Sequence, residues 1–144
     1  MKGALVLLLL AGGCAPTRQR SAAVPTAAPP DPNASVAVYE VVEKPEDEAA
    51  AFLKVYVDGE LAGQTATGPK SQEKSWNGRL APGNRLFKLE YWTLAGLSDW
   101  KRLEDDFQPR ERFIRLEEGA KTKILIKFFD QGRKNAVTTA REAR

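Results

Sequence analysis

Phe52-Leu53-Lys54-Val55-Tyr56-Val57-Asp58-Gly59-Glu60-Leu61 sets Leu53, Val55 and Val57 in alternation with Phe52, Lys54 and Tyr56. That is the two-residue period of a strand with one face buried. Asp58-Gly59 follows at once and the chain resumes through residues 60–64. Both central residues of a type I′ turn need positive φ, which glycine adopts freely and aspartate at small cost, so the segment predicts a β-hairpin.

The same reading extends both ways from this hairpin. Upstream, residues 35–42 are rich in Val with Tyr39 and predict a strand, and residues 43–50, with Pro45 and four acids, predict a charged connection. Downstream, residues 65–75 read as a loop and residues 76–80 as a short strand. That strand ends at Ala81-Pro82-Gly83-Asn84, where Pro and Gly take the two central positions of a type II turn. Residues 86–92 place Phe87, Leu89 and Tyr91 on one face and Lys88 and Glu90 on the other. Residues 100–107 read either as a strand or as an irregular crossing, residues 112–116 as a strand, and 117–119 as its turn. A last strand over 121–129 points Thr122, Ile124, Ile126 and Phe128 inward and Lys121, Lys123 and Lys127 outward. Residues 131–144 have no apolar period and are expected to fray. No stretch carries a useful helical period. The expected fold class is all-β: a single antiparallel β-sandwich of about seven strands over residues 35–130.

The N-terminus has a different character. Met1-Lys2, an unbroken apolar run from Ala4 to Ala11 and then Gly12-Gly13-Cys14 resemble the lipobox of bacterial lipoproteins. In those proteins the thiol receives diacylglycerol before the preceding peptide is cut. The resemblance implies a signal peptide over residues 1–13 and Cys14 as a lipidated mature N-terminus. An ordinary secretory signal with a free thiol, or a short uncut anchor, are the competing readings. The apolar run falls well short of the ~20 residues that span a bilayer core as a helix. Cys14 is also the only cysteine, so the exported part has no disulfide staple. Ala15, where some sorting rules read Asp, resembles the signal for the outer membrane, with the domain facing the periplasm. Residues 14–34 are Ala-, Pro-, Ser- and Thr-rich and cannot bury enough surface to offset ordering, so they are expected to form a disordered linker. At polyproline spacing it would reach up to about 60 Å.

Composition excludes several functions. The chain has 22 basic and 19 acidic residues, a formal net charge of +3, and the signs alternate through Lys101-Arg102-Leu103-Glu104-Asp105-Asp106. Nucleic-acid binders gather Lys and Arg on one face, so no nucleic-acid partner is expected. There is no histidine. With Cys14 acylated, neither a Ser-His-Asp or Cys-His nucleophile nor a thiolate or imidazole zinc site can be built. Leu103-Glu104-Asp105-Asp106 lacks the alternating spacing and turn glycine of a calcium loop and reads as an exposed acidic turn. No catalytic residue, metal or cofactor is expected.

Three pieces in fixed order resemble PEGA-type domains. These are the hairpin over residues 53–63, the Pro82-Gly83 turn leading into residues 86–89, and residues 113–119 leading into 121–128. Such domains are small exported β-sandwiches, so the resemblance implies an Ig-like or PEGA-like binding or assembly module with an envelope-protein partner and no catalytic residues to carry over. The alternative is a carbohydrate- or peptidoglycan-binding module. Trp76, Trp92 and Trp100 are the candidate ligand residues, because exposed indoles stack on sugar faces, while the same rings would equally fill a small core. Lys121, Lys123 and Lys127 read either as protection of an edge strand or as a stripe for an anionic partner.

Overall fold

In the computed structural model, which describes residues 31–143, ten strands follow one another. They are β1 (Ala34–Glu40), β2 (Ala50–Val57), β3 (Glu60–Gln64), β4 (Gly68–Pro69), β5 (Lys74–Gly78), β6 (Gly83–Ala95), β7 (Asp99–Arg102), β8 (Arg112–Leu116), β9 (Ala120–Phe129) and β10 (Lys134–Ala143). Two single-turn 3-10 helices, Pro45–Asp47 and Asp105–Phe107, lie in the connections. The expected signal peptide over residues 1–13, Cys14 and most of the expected linker fall outside the described residues.

The strands form two sheets. One has four strands in the order β10-β9-β1-β5; the other has six, β3-β2-β6-β7, with β4 also on β2 and β8 also on β6. The Asp58-Gly59 turn has φ values of 52° and 85°, as a type I′ hairpin requires, and Gly83 has φ 115° at the third position of the Pro-Gly turn. The alternating residues predicted to face inward do so. Leu53, Val55, Val57, Phe87, Leu89 and Tyr91 from the larger sheet meet Val36, Val38, Ile124, Ile126 and Phe128 from the smaller in one buried cluster. The fold is an all-β, sandwich-like pair of sheets sharing one core.

Two polar side chains complete the backbone pairing where strands run out. β3 and β4 occupy successive parts of one edge of β2, and between them Thr65 Oγ1 accepts the Leu53 amide at 3.0 Å while its own amide reaches the Leu53 carbonyl. On β6, β7 and β8 likewise take successive parts of one edge. There the Gln108 side-chain amide accepts from Tyr91 N at 2.8 Å and donates to Tyr91 O at 3.3 Å and Leu103 O at 2.8 Å. Buried backbone groups left without partners cost about as much as a lost hydrogen bond, so both buried side chains stand in for absent strand.

Four expectations need correction. The sheets are not wholly antiparallel, because β1 pairs with β9 in parallel register from Ala34↔Thr122 to Glu40↔Phe128. Among the described residues strands number ten rather than about seven, with β4, β7 and β10 in addition. Residues 131–144, expected to be a disordered tail, instead include β10, which pairs with β9 along ten residues without a register shift. Its signal is weak because most of its side chains face solvent, and what holds it is backbone hydrogen bonding, which leaves no apolar period. The turn that launches it, Asp130-Gln131-Gly132, has φ values of 53°, 54° and 78°. Finally, β9 lies between β10 and β1, so its lysines do not guard an edge.

Candidate interaction surface

Because side chains alternate along a strand, the even-numbered residues of β2 and β6 that do not enter the core line the outer face of the larger sheet. Register brings them into rows: Phe52 beside Trp92 beside Arg102, Lys54 beside Glu90, Tyr56 beside Lys88, and Leu94 beside Trp100. The rings make a connected cluster. Phe52 and Trp92 are near-parallel, 4° apart with centroids at 6.1 Å, and Trp100 meets Phe52 edge-on at 4.9 Å. The Lys54 ammonium sits 4.7 Å from the centroid of the Trp92 ring, a cation–π contact that covers one of its faces. The Trp92 indole N–H is shielded from solvent and has no hydrogen-bond partner among the described residues.

Next to the rings lies a polar knot centred on Glu90. Its carboxylate accepts from the Tyr56 hydroxyl at 3.3 Å and pairs with Arg102 Nε at 3.3 Å and Lys88 at 4.0 Å; Arg102 also holds Asp105 at 2.7 Å. Partial burial, and then the negative charge of Glu90, push the Tyr56 phenol up, while the hydrogen bond to Asp105 raises Arg102 further. Two exposed apolar side chains continue the same face, Leu61 opposite Tyr56 and Phe113 opposite Leu86. The result is an apolar, aromatic patch with a fixed pattern of charge at its centre.

The sequence-derived candidates separate. Trp92 and Trp100 share this face, the latter 37% exposed. Trp76 is elsewhere: it lies opposite Val36, on the inner side of β5, and packs against the core. Its ring lies against Gly78 and, on the other sheet, Gly63, where an added Cβ would fall 2.3 Å and 2.4 Å from indole atoms. Trp76 therefore plugs the margin between the sheets. Cys14 lies outside the described residues. Sequence reasoning did not single out Phe52, Lys54, Glu90 or Arg102 as a group. Phe52 carried a signal, an aromatic on the polar side of an alternating strand; the others depend on which strands become neighbours. The acidic turn at residues 104–106 is exposed, and its Asp105 is the partner of Arg102. Among the described residues no group of three or more Cys, His, Asp or Glu is disposed to hold a metal ion, and no helix is long and apolar enough to cross a membrane.

A second polar arrangement lies at the end of β1. Glu40 is 3% exposed, accepts from the Tyr91 hydroxyl at 3.1 Å and has the Lys70 ammonium at 4.0 Å. Lys74, also buried, donates to the carbonyls of Pro69 and Gln72, both at 2.7 Å, and of Lys70 at 3.4 Å, tying the loop before β5. Burial raises the Glu40 carboxyl above its ordinary value of 4.5, and Lys70 and Tyr91 only partly oppose this. Burial likewise draws the Lys74 ammonium down and pushes the Tyr91 phenol up.

The consequence for stability has a definite sign. The folded state holds its proton on Glu40 more tightly than the unfolded chain does, so the associated stability is present below about pH 4.5 and is lost as pH rises through the higher folded value. Glu40→Gln, which keeps an oxygen for Tyr91, is expected to flatten the dependence of unfolding free energy on pH across that window. Urea denaturation at a series of pH values measures it, and a variant profile parallel to the parent's would contradict the assignment.

No family model, curated protein or solved structure matches this chain.

Proposed function

We propose that this chain is a lipid-anchored component of the bacterial cell envelope, acylated at Cys14 and facing the periplasm from the outer membrane. Its Ig-like, PEGA-like body acts as a non-catalytic module that binds another envelope protein. The lipobox-like N-terminus supports the anchor. The observation that carries the binding role is the Phe52–Trp92–Trp100 cluster on the outer face of the larger sheet, continued by Leu61 and Phe113. Aromatic side chains and arginine dominate the energetic centres of protein interfaces, and this face presents both. A protein partner suits it better than a sugar, because Lys54 covers a face of Trp92 and Trp100 stands edge-on to Phe52, so the indoles do not present a pair of open, coplanar platforms.

The test is affinity capture of the tethered protein from solubilised envelopes, with mass spectrometry of what accompanies it. A protein partner is expected, and Trp100→Ala should lower its recovery roughly tenfold or more while leaving the domain folded, at a cost of about 0.5–1.5 kcal/mol for the lost edge contact with Phe52. Recovery of glycan fragments alone would overturn the reading in favour of a carbohydrate module. In parallel, Cys14→Ser is expected to release the protein from membranes or block its maturation; unchanged membrane fractionation would contradict the lipid anchor.

A further inference from the structure

Among the described residues no strand pairs with the outer edge of β10, and its construction differs from that of the other sheet margins. It ends the four-stranded sheet with ten residues, Lys134-Asn-Ala-Val-Thr-Thr-Ala-Arg-Glu-Ala143, and contains neither proline nor a bulge. By contrast β5 and β7 are short, with five and four residues, and β3 is broken by a register shift between Val55 and Tyr56 of its partner. Short length, bulges and proline are the usual means of keeping an edge from pairing with another chain, and β10 uses none of them. Its charges stand toward the two ends, leaving Ala136, Val137, Thr138, Thr139 and Ala140 as small or β-branched residues at the centre.

The strand is also held in place before any partner arrives. Near its start Asn135 Nδ2 donates to Phe107 O at 3.0 Å; near its end Arg141 pairs with Glu117 at 3.1 Å and Glu142 with Lys123 at 2.7 Å. An edge ordered in this way loses little conformational freedom on pairing.

We propose that β10 pairs antiparallel with β10 of a second copy of this chain, about a two-fold axis through Thr138, joining the two four-stranded sheets into one. The register follows from charge. Centring on Thr138 sets Lys134 opposite Glu142, Asn135 opposite Arg141, Ala136 opposite Ala140 and Val137 opposite Thr139, and the two-fold repeats each pair. Opposite charges directly across a ladder favour it and like charges oppose it. Because a two-fold must centre on a self-paired residue, the axis moves by whole residues: one residue toward the strand start it would set Arg141 against Arg133 twice and Lys134 against Ala140, and one residue the other way it would set Glu142 against Ala136 and Arg141 against Val137. The interface is isologous and closes at two copies. It uses a different edge from the aromatic face, so either can fail without the other.

The test uses the full chain in density-matched detergent. Sedimentation equilibrium is expected to show a monomer–dimer equilibrium, and a strictly monomeric protein at about 100 µM, where weak non-obligate pairs still associate, would overturn the proposal. Glu142→Lys should raise the dissociation constant roughly tenfold by placing like charges together twice, and adding Lys134→Glu should restore it. A defect that the second change fails to rescue would reduce Glu142 to a role within its own subunit and overturn the register. Thr138→Cys should give a disulfide-linked dimer on mild oxidation that the parent chain does not form. Ala136→Cys alone should not, because four residues of strand, about 13 Å, would separate the two thiols; cross-linking by Ala136→Cys alone would also overturn the register.

Discussion

Phe128→Ala is expected to destabilise the protein by about 3–5 kcal/mol, the range for removing a fully buried aromatic ring. Phe128 is 0% exposed and stacks on Tyr91 across the two sheets, with centroids 4.3 Å apart and planes 16° apart. Tyr91 belongs to β6 and Phe128 to β9, so the contact joins the longest strand of one sheet to a central strand of the other. Its loss leaves a cavity that neither sheet can close without shifting backbone, and it frees the ring whose hydroxyl holds Glu40. For a domain of this size such a loss lowers the midpoint of thermal unfolding on the order of 15 °C. Phe113→Ala provides the contrast: that ring is 73% exposed, and its removal should change stability by no more than about 0.5 kcal/mol. Urea denaturation of the two variants measures both, and equal effects would contradict a core shared between the sheets.

Gly78→Ala is expected to cost about 1–3 kcal/mol although it adds a single methyl group, because the methyl has nowhere to go. Its carbon would lie 2.3 Å from Cζ2 and 2.4 Å from Cη2 of Trp76. A flexible side chain could swing aside, but an indole packed against the core moves as a rigid plate. The same plate lies against Gly63, so two glycines on different sheets make room for one tryptophan. The origin of the cost is testable by coupling. In a Trp76→Leu background, which is itself destabilised, the further penalty of Gly78→Ala should nearly vanish, giving a coupling energy on the order of 1 kcal/mol or more. Additive effects would mean that the indole is not what Gly78 accommodates, and would return Trp76 to the candidates for ligand contact.

How far the sequence could be read depends on the range of the physics behind each feature. The stripes Leu53/Val55/Val57, Phe87/Leu89/Tyr91 and Ile124/Ile126/Phe128 were legible because alternation along an extended chain is a local property that needs no knowledge of the partner. The Asp58-Gly59 and Pro82-Gly83 turns were legible for the same reason, since positive φ at defined positions is a requirement of a few residues. β10 was not, because a strand held mainly by backbone pairing at an edge has no need of apolar side chains. Gln108 and Thr65 were not either, since their amide and hydroxyl matter only where neighbouring strands end. The tryptophans show the division within one residue type. Trp76 and Trp92 both stand in alternating strand contexts, yet one closes the core over two glycines and the other joins Phe52 and Trp100 outside it.

The amino-acid order alone therefore determined that this is an all-β chain, which faces of its principal strands are buried, and where two of its tight turns fall. Strand neighbours came only with the tertiary structure: the parallel β1–β9 pairing, the place of β10 at the end of the four-stranded sheet, and the assembly of Phe52, Lys54, Glu90, Trp92, Trp100 and Arg102 into one surface. Side-chain period and turn sterics act over a few residues and are written into them. Pairing between distant strands uses backbone groups that every residue shares, so its outcome is decided by which arrangement buries all the stripes at once.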